Sequence, residues 1–167
     1  MTLGIAEVLA LAVSCAPAIE PAIIAAIVQR ESARNPFAIG TGKSARLSHQ
    51  PTAKEHALHV SAILERAGLH FDVGLGQINS RNLQRFGVSV EQALDPCKNM
   101  QLMQRVILAD YTRALVSGRK PGTESTIAAL SGYNTGNFKS GVENGYVKGV
   151  VNAHAQLKGA SSQEGRP

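Results

Sequence analysis

The sequence predicts a mainly helical domain with one short strand region, and three observations carry that expectation. Apolar residues recur at helical spacing, as in Ile24, Ile27 and Val28. Capping patterns and glycine stops bracket segments of helix length, such as Thr52 with Glu55 before a stop at Gly68. One stretch, residues 69–79 (LHFDVGLGQIN), reads instead as a strand from Leu69 to Val73 that runs into a glycine-rich turn. The 167 residues fit one domain, expected over residues 1–158, and a disordered polar tail, GASSQEGRP, over 159–167.

Element by element, a first helix is expected over residues 3–15, followed by punctuation at Pro17 and Pro21. Pro21 suits the first turn of a second helix. That helix runs to about Ala33 and ends at Arg34-Asn35-Pro36, because a residue before proline avoids helical geometry. Residues 37–51 read as a loop, and the helix after Thr52 ends at Gly68. Short helices are expected at 80–86 and 90–94, the second with a capping box of Ser89 and Gln92. Asp95-Pro96 marks a turn, and a long helix covers about 98–117, closed by Gly118. A helix at 124–132 leads into Tyr133-Asn134-Thr135-Gly136, and a last helix covers about 145–157.

Composition excludes several function classes. A hydrophobic fraction of 44% with 17% charged residues argues against general disorder. No uninterrupted run of 18 apolar residues exists, so no membrane-spanning helix is expected. The net charge of +5 suits an anionic partner, but the 17 Lys and Arg are scattered, which argues against nucleic acid. His56 and His59 stand at i, i+3 beside Glu55, a spacing that misses the zinc-protease pattern, so no metal is expected. No phosphate-binding loop, nucleophile elbow or dinucleotide motif is present, and no cofactor is expected.

Cys15 and Cys97 are the two cysteines and form no CxxC. Two buried free thiols and one long-range disulfide both fit the sequence. The apolar run 3–14 before Cys15 partly resembles a secretion signal, but no Lys or Arg precedes it and Glu7 interrupts it. A core-facing first helix is the favoured reading.

The most informative residue is Glu31. Ile24, Ile27 and Val28 form an apolar stripe, and the next position of that stripe, i+7, is Glu31. It also lies in the last helical turn, where the macrodipole disfavours an anion. Desolvation and the dipole both favour the protonated form, so its pKa is expected to rise. A carboxylic acid that keeps its proton near neutral pH is what a general acid needs. Pairing with Arg30 or Arg34, or reach into water at the helix end, is the bland alternative. Gly74-Leu75-Gly76-Gln77-Ile78-Asn79 places two amides beside a glycine turn, and amides suit hydroxyl and acetamido groups. Tyr133-Asn134 and Tyr146 add polar groups on later helices. Each has a local structural explanation when taken alone.

Glu31-Ser32, Gly74-Leu75-Gly76-Gln77-Ile78-Asn79, Tyr133-Asn134-Thr135-Gly136 and Tyr146-Val147, in this order, resemble the soluble lytic transglycosylase family over roughly residues 14–155. The whole segment FDVGLGQIN, Cys-Ala-Pro at 15–17 and Asp-Pro-Cys at 95–97 resemble the lytic transglycosylases of bacterial type IV secretion and conjugation systems. The resemblance implies an α+β lysozyme-like fold, with a small β-hairpin beside a saccharide groove. It implies non-hydrolytic cleavage of the MurNAc-β-1,4-GlcNAc bond of peptidoglycan, leaving 1,6-anhydroMurNAc ends and opening the wall locally for the apparatus. Glu31 is then the single acid and base. Ser32, Gly74, Gln77, Asn79, Tyr133, Asn134 and Tyr146 are the expected substrate-binding positions, with Ser32 and Gln77 orienting the sugar and Tyr133 holding Glu31. The resemblance also implies a Cys15–Cys97 disulfide, a periplasmic location and partners among the other components of the apparatus.

Two departures stand out: Gly76 where many soluble members have Met, and Gly132 where Ala is usual before the Tyr. Asp72 also resembles the second carboxylate of animal-type lysozymes, so a hydrolytic muramidase using Glu31 and Asp72 is an alternative. A hydrogen bond from Asp72 within a hairpin is the structural one. A non-catalytic peptidoglycan-binding scaffold is the third reading.

Overall fold

The computed structural model describes residues 2–42, 45 and 47–164, with side chains through Gly159. The elements are α1 (Ile5–Cys15), α2 (Pro21–Ser32), β1 (Ile39–Gly40), α3 (Lys54–Arg66), β2 (Asp72–Val73), β3 (Ile78–Asn79), α4 (Ser80–Phe86), α5 (Val90–Ala93), α6 (Pro96–Val116), α7 (Thr123–Thr135), α8 (Ser140–Glu143) and α9 (Tyr146–Glu164). The fold is mainly helical with one small antiparallel sheet, as expected. It packs as two compact units, Met1–Leu102 and Met103–Pro167.

In the first unit α1 packs on α2. Helix α1 buries Val8, Ala12 and Cys15, one stripe at helical spacing. Helix α2 starts with Pro21, whose missing N–H would have been unpaired there in any case. Ile24, Ala25, Ala26, Ile27 and Val28 are all fully buried, so this helix is enclosed on every side at its centre. Helix α3 buries Ala57, Ser61 and Leu64. Its N-cap is Ala53, one residue after the expected Thr52, and carries no side-chain cap bond. Gly68 ends it with φ +67, and the Gly68 and Leu69 N–H groups return to the Glu65 and Leu64 carbonyls.

The sheet has the order β1-β2-β3, antiparallel throughout. Ile39 stands opposite Val73 and Gly40 opposite Asp72; Asp72 in turn stands opposite Asn79. The expected strand from Leu69 shortens to Asp72–Val73 because the Leu69 N–H is already used to end α3. Strand β1 arises inside the segment expected to be loop. Its other edge is closed by a side chain: the Gln50 amide both donates to and accepts from the Ile39 backbone, at 3.0 and 2.9 Å. Residues 43, 44 and 46 of that segment lie outside the described residues. Asn79 caps α4, and the box of Ser89 and Gln92 closes on α5 in both directions.

Helix α6 begins at Pro96, earlier than expected, because the Asp95 carboxylate accepts the Lys98 N–H at 2.8 Å and so stabilises the extra turn. Gly118, with φ +90, closes it as expected. In the second unit α7, α8 and α9 pack together. Helix α7 buries Ser125, Ala128, Ala129, Leu130, Ser131 and Gly132, and α9 buries Tyr146, Val147 and Val150. The one-turn helix α8 was not expected, since four residues show no periodicity. Helix α9 continues to Glu164, past the end expected near Leu157, because Gly159 costs a helix only about 1 kcal/mol and no proline follows it before Glu164. Residues 165–167 of the expected tail lie outside the described residues.

Candidate active site

Glu31 lies in the last turn of α2, half-buried, on the stripe whose preceding members Ile24, Ile27 and Val28 have no exposed surface. The helix ends just beyond it through two successive left-handed residues, Ala33 at φ 49 and Arg34 at φ 67. Each costs about 1 kcal/mol in a residue with a side chain. The cost is offset by a reciprocal tie: Leu3 N–H donates to the Arg34 carbonyl, and Arg34 Nη1 donates to the Leu3 carbonyl at 3.1 Å. The chain therefore turns away earlier than Pro36 requires, leaving Glu31 and Ser32 at the helix end. Ser32 Oγ turns back and donates to the Val28 carbonyl at 3.2 Å.

The strand pair β2–β3 brings Asp72 and Asn79 together. Val73 and Ile78 point to the core, so the alternating positions Asp72 and Asn79 share the opposite, half-buried face. Asn79 Nδ2 donates to Asp72 Oδ1 at 2.7 Å, while Asn79 Oδ1 accepts the Arg81 N–H at 3.1 Å. Both ends of that amide are thus engaged. Burial pushes the Asp72 carboxyl above its ordinary range, and the Asn79 bond opposes the rise.

Between the strands the glycine turn is tightly built. Gly74 has φ +77, and its N–H donates to the Ala38 carbonyl at 2.9 Å. Gln77 also has a positive φ, 51. Its Nε2 donates to the Gly74 carbonyl at 2.8 Å and the Ala38 carbonyl at 3.1 Å, clipping the turn to the chain entering β1. Its Oε1 lies against Gly40, where a Cβ would collide with it.

Asn99 is the residue that sequence reasoning missed. It is 1% exposed and makes three bonds to this turn and its surroundings. Its Oδ1 accepts the Gly76 N–H at 2.8 Å; its Nδ2 donates to the Val73 carbonyl at 2.9 Å and the Ala93 carbonyl at 2.7 Å. A signal was available, because Asn99 precedes buried Leu102 and Met103 at i+3 and i+4, a polar residue on an apolar stripe like Glu31. Two residues earlier, Cys97 forms the disulfide with Cys15, with a Cα–Cα distance of 5.3 Å.

The second unit carries the remaining predicted residues. Tyr133 and Asn134 sit on the last turn of α7 rather than after it, because the helix runs on to Thr135 before Gly136 stops it at φ 77. Tyr133 is half-buried and Asn134 exposed. Asn144 links Asn134 to Tyr146: its Nδ2 donates to Asn134 Oδ1, and its Oδ1 accepts the Tyr146 N–H, both at 2.9 Å. Tyr146 is buried at 6% exposure. Gly132 has a local cause: a Cβ there would come within 2.8 Å of the Asp110 carboxylate and 3.2 Å of Arg113. Arg113 pairs with Asp110 at 2.9 Å, donates to the Gly136 carbonyl at 3.0 Å and stacks on Phe138.

A separate cavity of about 650 Å³ in the first unit, lined by α3, residues 68–71, α4 and α5, contains none of the predicted site residues. No cluster of His, Cys, Asp or Glu fit to hold a metal ion occurs among the described residues.

The family model described as the Transglycosylase SLT domain matches residues 9–154, most of both units. The chain belongs to that family. The SLT domain has a lysozyme-like fold, in keeping with the helical architecture and small sheet seen here. Among curated proteins, the type IV secretion system protein virB1 of Brucella suis is 40% identical over 150 residues, covering 86% of this chain and 62% of its own length. Protein virB1 of Agrobacterium fabrum is 36% identical over 157 residues, covering 93% of this chain and 62% of its own. That of Rhizobium radiobacter is 34% identical over 148 residues, covering 86% and 59%. The chain thus spans less than two thirds of the length of the relatives it matches. No solved structure matches it. The SLT match includes Glu31, the glycine turn and the Tyr133-Asn134 pair.

Proposed function

We propose that this chain is a peptidoglycan lytic transglycosylase that opens the wall for a type IV secretion or conjugation apparatus. The observation that carries the reading is Glu31, a half-buried acid that continues the fully buried stripe of α2 within the SLT match. The names of the relatives support the apparatus and, with it, a periplasmic location and partners among its components.

Glu31 starts protonated and gives its proton to the glycosidic oxygen, so the GlcNAc side leaves as an alcohol. The MurNAc C1 becomes electron-poor and is stabilised by the substrate's own acetamido group, the substrate-assisted exception to paired carboxylates. The Glu31 carboxylate then takes the proton of the C6 hydroxyl, and O6 bonds to C1. The acid is restored and no water enters the products. In this reading the resemblance gives Ser32, Gly74, Gln77 and Asn79 of the first unit, and Tyr133, Asn134 and Tyr146 of the second, as substrate-binding positions.

Asp72 bears on the hydrolytic alternative. A second carboxylate serves a muramidase as an anion; burial of Asp72 disfavours that form while the Asn79 bond favours it, and the same bond occupies Oδ1 within the hairpin. The product therefore distinguishes the two reactions. Mass spectrometry of muropeptides released from purified sacculi tests this choice. Anhydro ends are expected; reducing MurNAc ends would mean hydrolysis, and binding without release would mean a scaffold.

A further inference from the structure

We propose that Asn99 is a positioning residue for this reaction, one that holds the Gly74–Gln77 turn in its working geometry without touching substrate. The proposal rests on the transglycosylase reading.

The turn has little of its own to define it. It contains two glycines and two residues with positive φ, Gly74 and Gln77. Such a segment has many accessible conformations when free. Asn99 reduces them to one by gripping three backbone groups: Val73 before the turn, Gly76 inside it, and Ala93 at the end of α5. The fit is close enough that a Cβ at Gly74 would run into Asn99 and come within 3.1 Å of the Ala93 carbonyl. Asn is the residue this grip needs. Its carbonyl accepts one N–H while its amino group donates to two carbonyls, and neither Asp nor Leu of similar size does both.

What Asn99 grips is what carries the polar groups. Gln77 follows Gly76 directly, and its own amide is fixed on the Gly74 and Ala38 carbonyls. Strands β2 and β3 leave the two ends of the turn with Asp72 and Asn79. A shift of the turn would move all of these together. Displacement of a positioning group by about 1 Å can cost about 100-fold in rate. The grip is itself anchored, since Cys97 in the first turn of α6 is bonded to Cys15 of α1.

The test is Asn99→Asp in the otherwise intact chain, assayed on soluble glycan strands well below its melting temperature. The substituted carboxylate still accepts from Gly76 but faces two carbonyls with no proton to donate. At neutral pH kcat is expected to fall between about 10- and 100-fold, with a smaller change in KM. On acidification the carboxyl regains a proton and one donated bond, so activity relative to wild type at the same pH should recover in part. A purely structural role would lower the melting temperature and leave kcat of the folded protein unchanged. That result, or a loss equal at pH 5 and pH 7, overturns the proposal. If Asn99→Asp does not fold, Asn99→Ser, which keeps one donor and one acceptor, is expected to show the kcat loss; a wild-type kcat there overturns it equally. Amide exchange separates this failure from failure of the functional reading. A wild type that yields no anhydro product removes the reading, whereas rapid exchange at Gly76 in the wild type removes the grip itself.

Discussion

Glu31 on α2 and Asn99 on α6 interrupt apolar helix stripes in the same way, yet the structure gives them opposite fates. Asn99 is enclosed, with each polar atom of its side chain bonded to backbone. It is a buried polar group that has been fully satisfied, the usual outcome in folded proteins. Glu31 stands at a helix end where the chain bends away through Ala33 and Arg34, half-buried rather than enclosed. A polar residue on an apolar stripe is therefore an ambiguous sign. Its meaning depends on whether it lies along the helix, where backbone can close around it, or at a terminus, where a ligand can reach it.

Several changes would break or sharpen that contrast. The largest effect is expected from Glu31→Gln, which keeps shape and removes the titratable proton. Loss of a general acid costs about 100- to 10,000-fold. Clearing of purified sacculi should stop while binding to them persists; a variant that still clears them would place the acid elsewhere. Replacing both Cys15 and Cys97 by Ser comes next. Loss of this long-range crosslink is expected to lower stability by about 2–4 kcal/mol, measured by urea unfolding. It should also loosen Gly76 amide exchange, because it frees the helix turn ahead of Asn99.

Gly132→Ala probes the second unit, in α7 next to Tyr133. The methyl group meets the Asp110 carboxylate and Arg113. A loss of about 1–3 kcal/mol is expected from overpacking. Asp110→Asn should relieve part of it in the double variant. An unchanged melting temperature in Gly132→Ala would show that the pair moves aside freely.

The smallest effect is expected from Asp72→Asn, which keeps the bond from Asn79. Folded Asp72 holds its proton to higher pH than the unfolded chain does. Its neutral form contributes stability that is fully present below the unfolded pKa and declines as pH rises to the folded one. The variant should therefore gain stability relative to wild type as pH rises through that window. A difference constant with pH would mean that Asp72 titrates normally.

Much of the fold was legible because its punctuation is local. Pro21, Ser89 with Gln92, Asp95 and Gly118 act within one helical turn, and the helices they bound were expected close to where they lie. Strand β1 was not legible, since two residues show no alternation and one edge is completed by Gln50 from a distance. The helix expected over 124–132 runs on through Tyr133 and Asn134 to Thr135, and a Cβ at Gly132 would come within 2.8 Å of the Asp110 carboxylate. Of the site, Glu31 stood out by periodicity, and the amides stood out by their glycines. Where those amides point could not be read.

By itself, the sequence determined the helical class, the place of the acid on its stripe, and the family, because period, caps and short motifs are properties of neighbours along the chain. Tertiary packing alone brought Asn79 to Asp72 and Asn99 to the glycine turn, whereas the Cys15–Cys97 disulfide implied by the family resemblance forms as expected. The first two pairings join residues 7 and 23 positions apart. Their partners are chosen by which backbone groups packing leaves without water, and no local pattern records that choice.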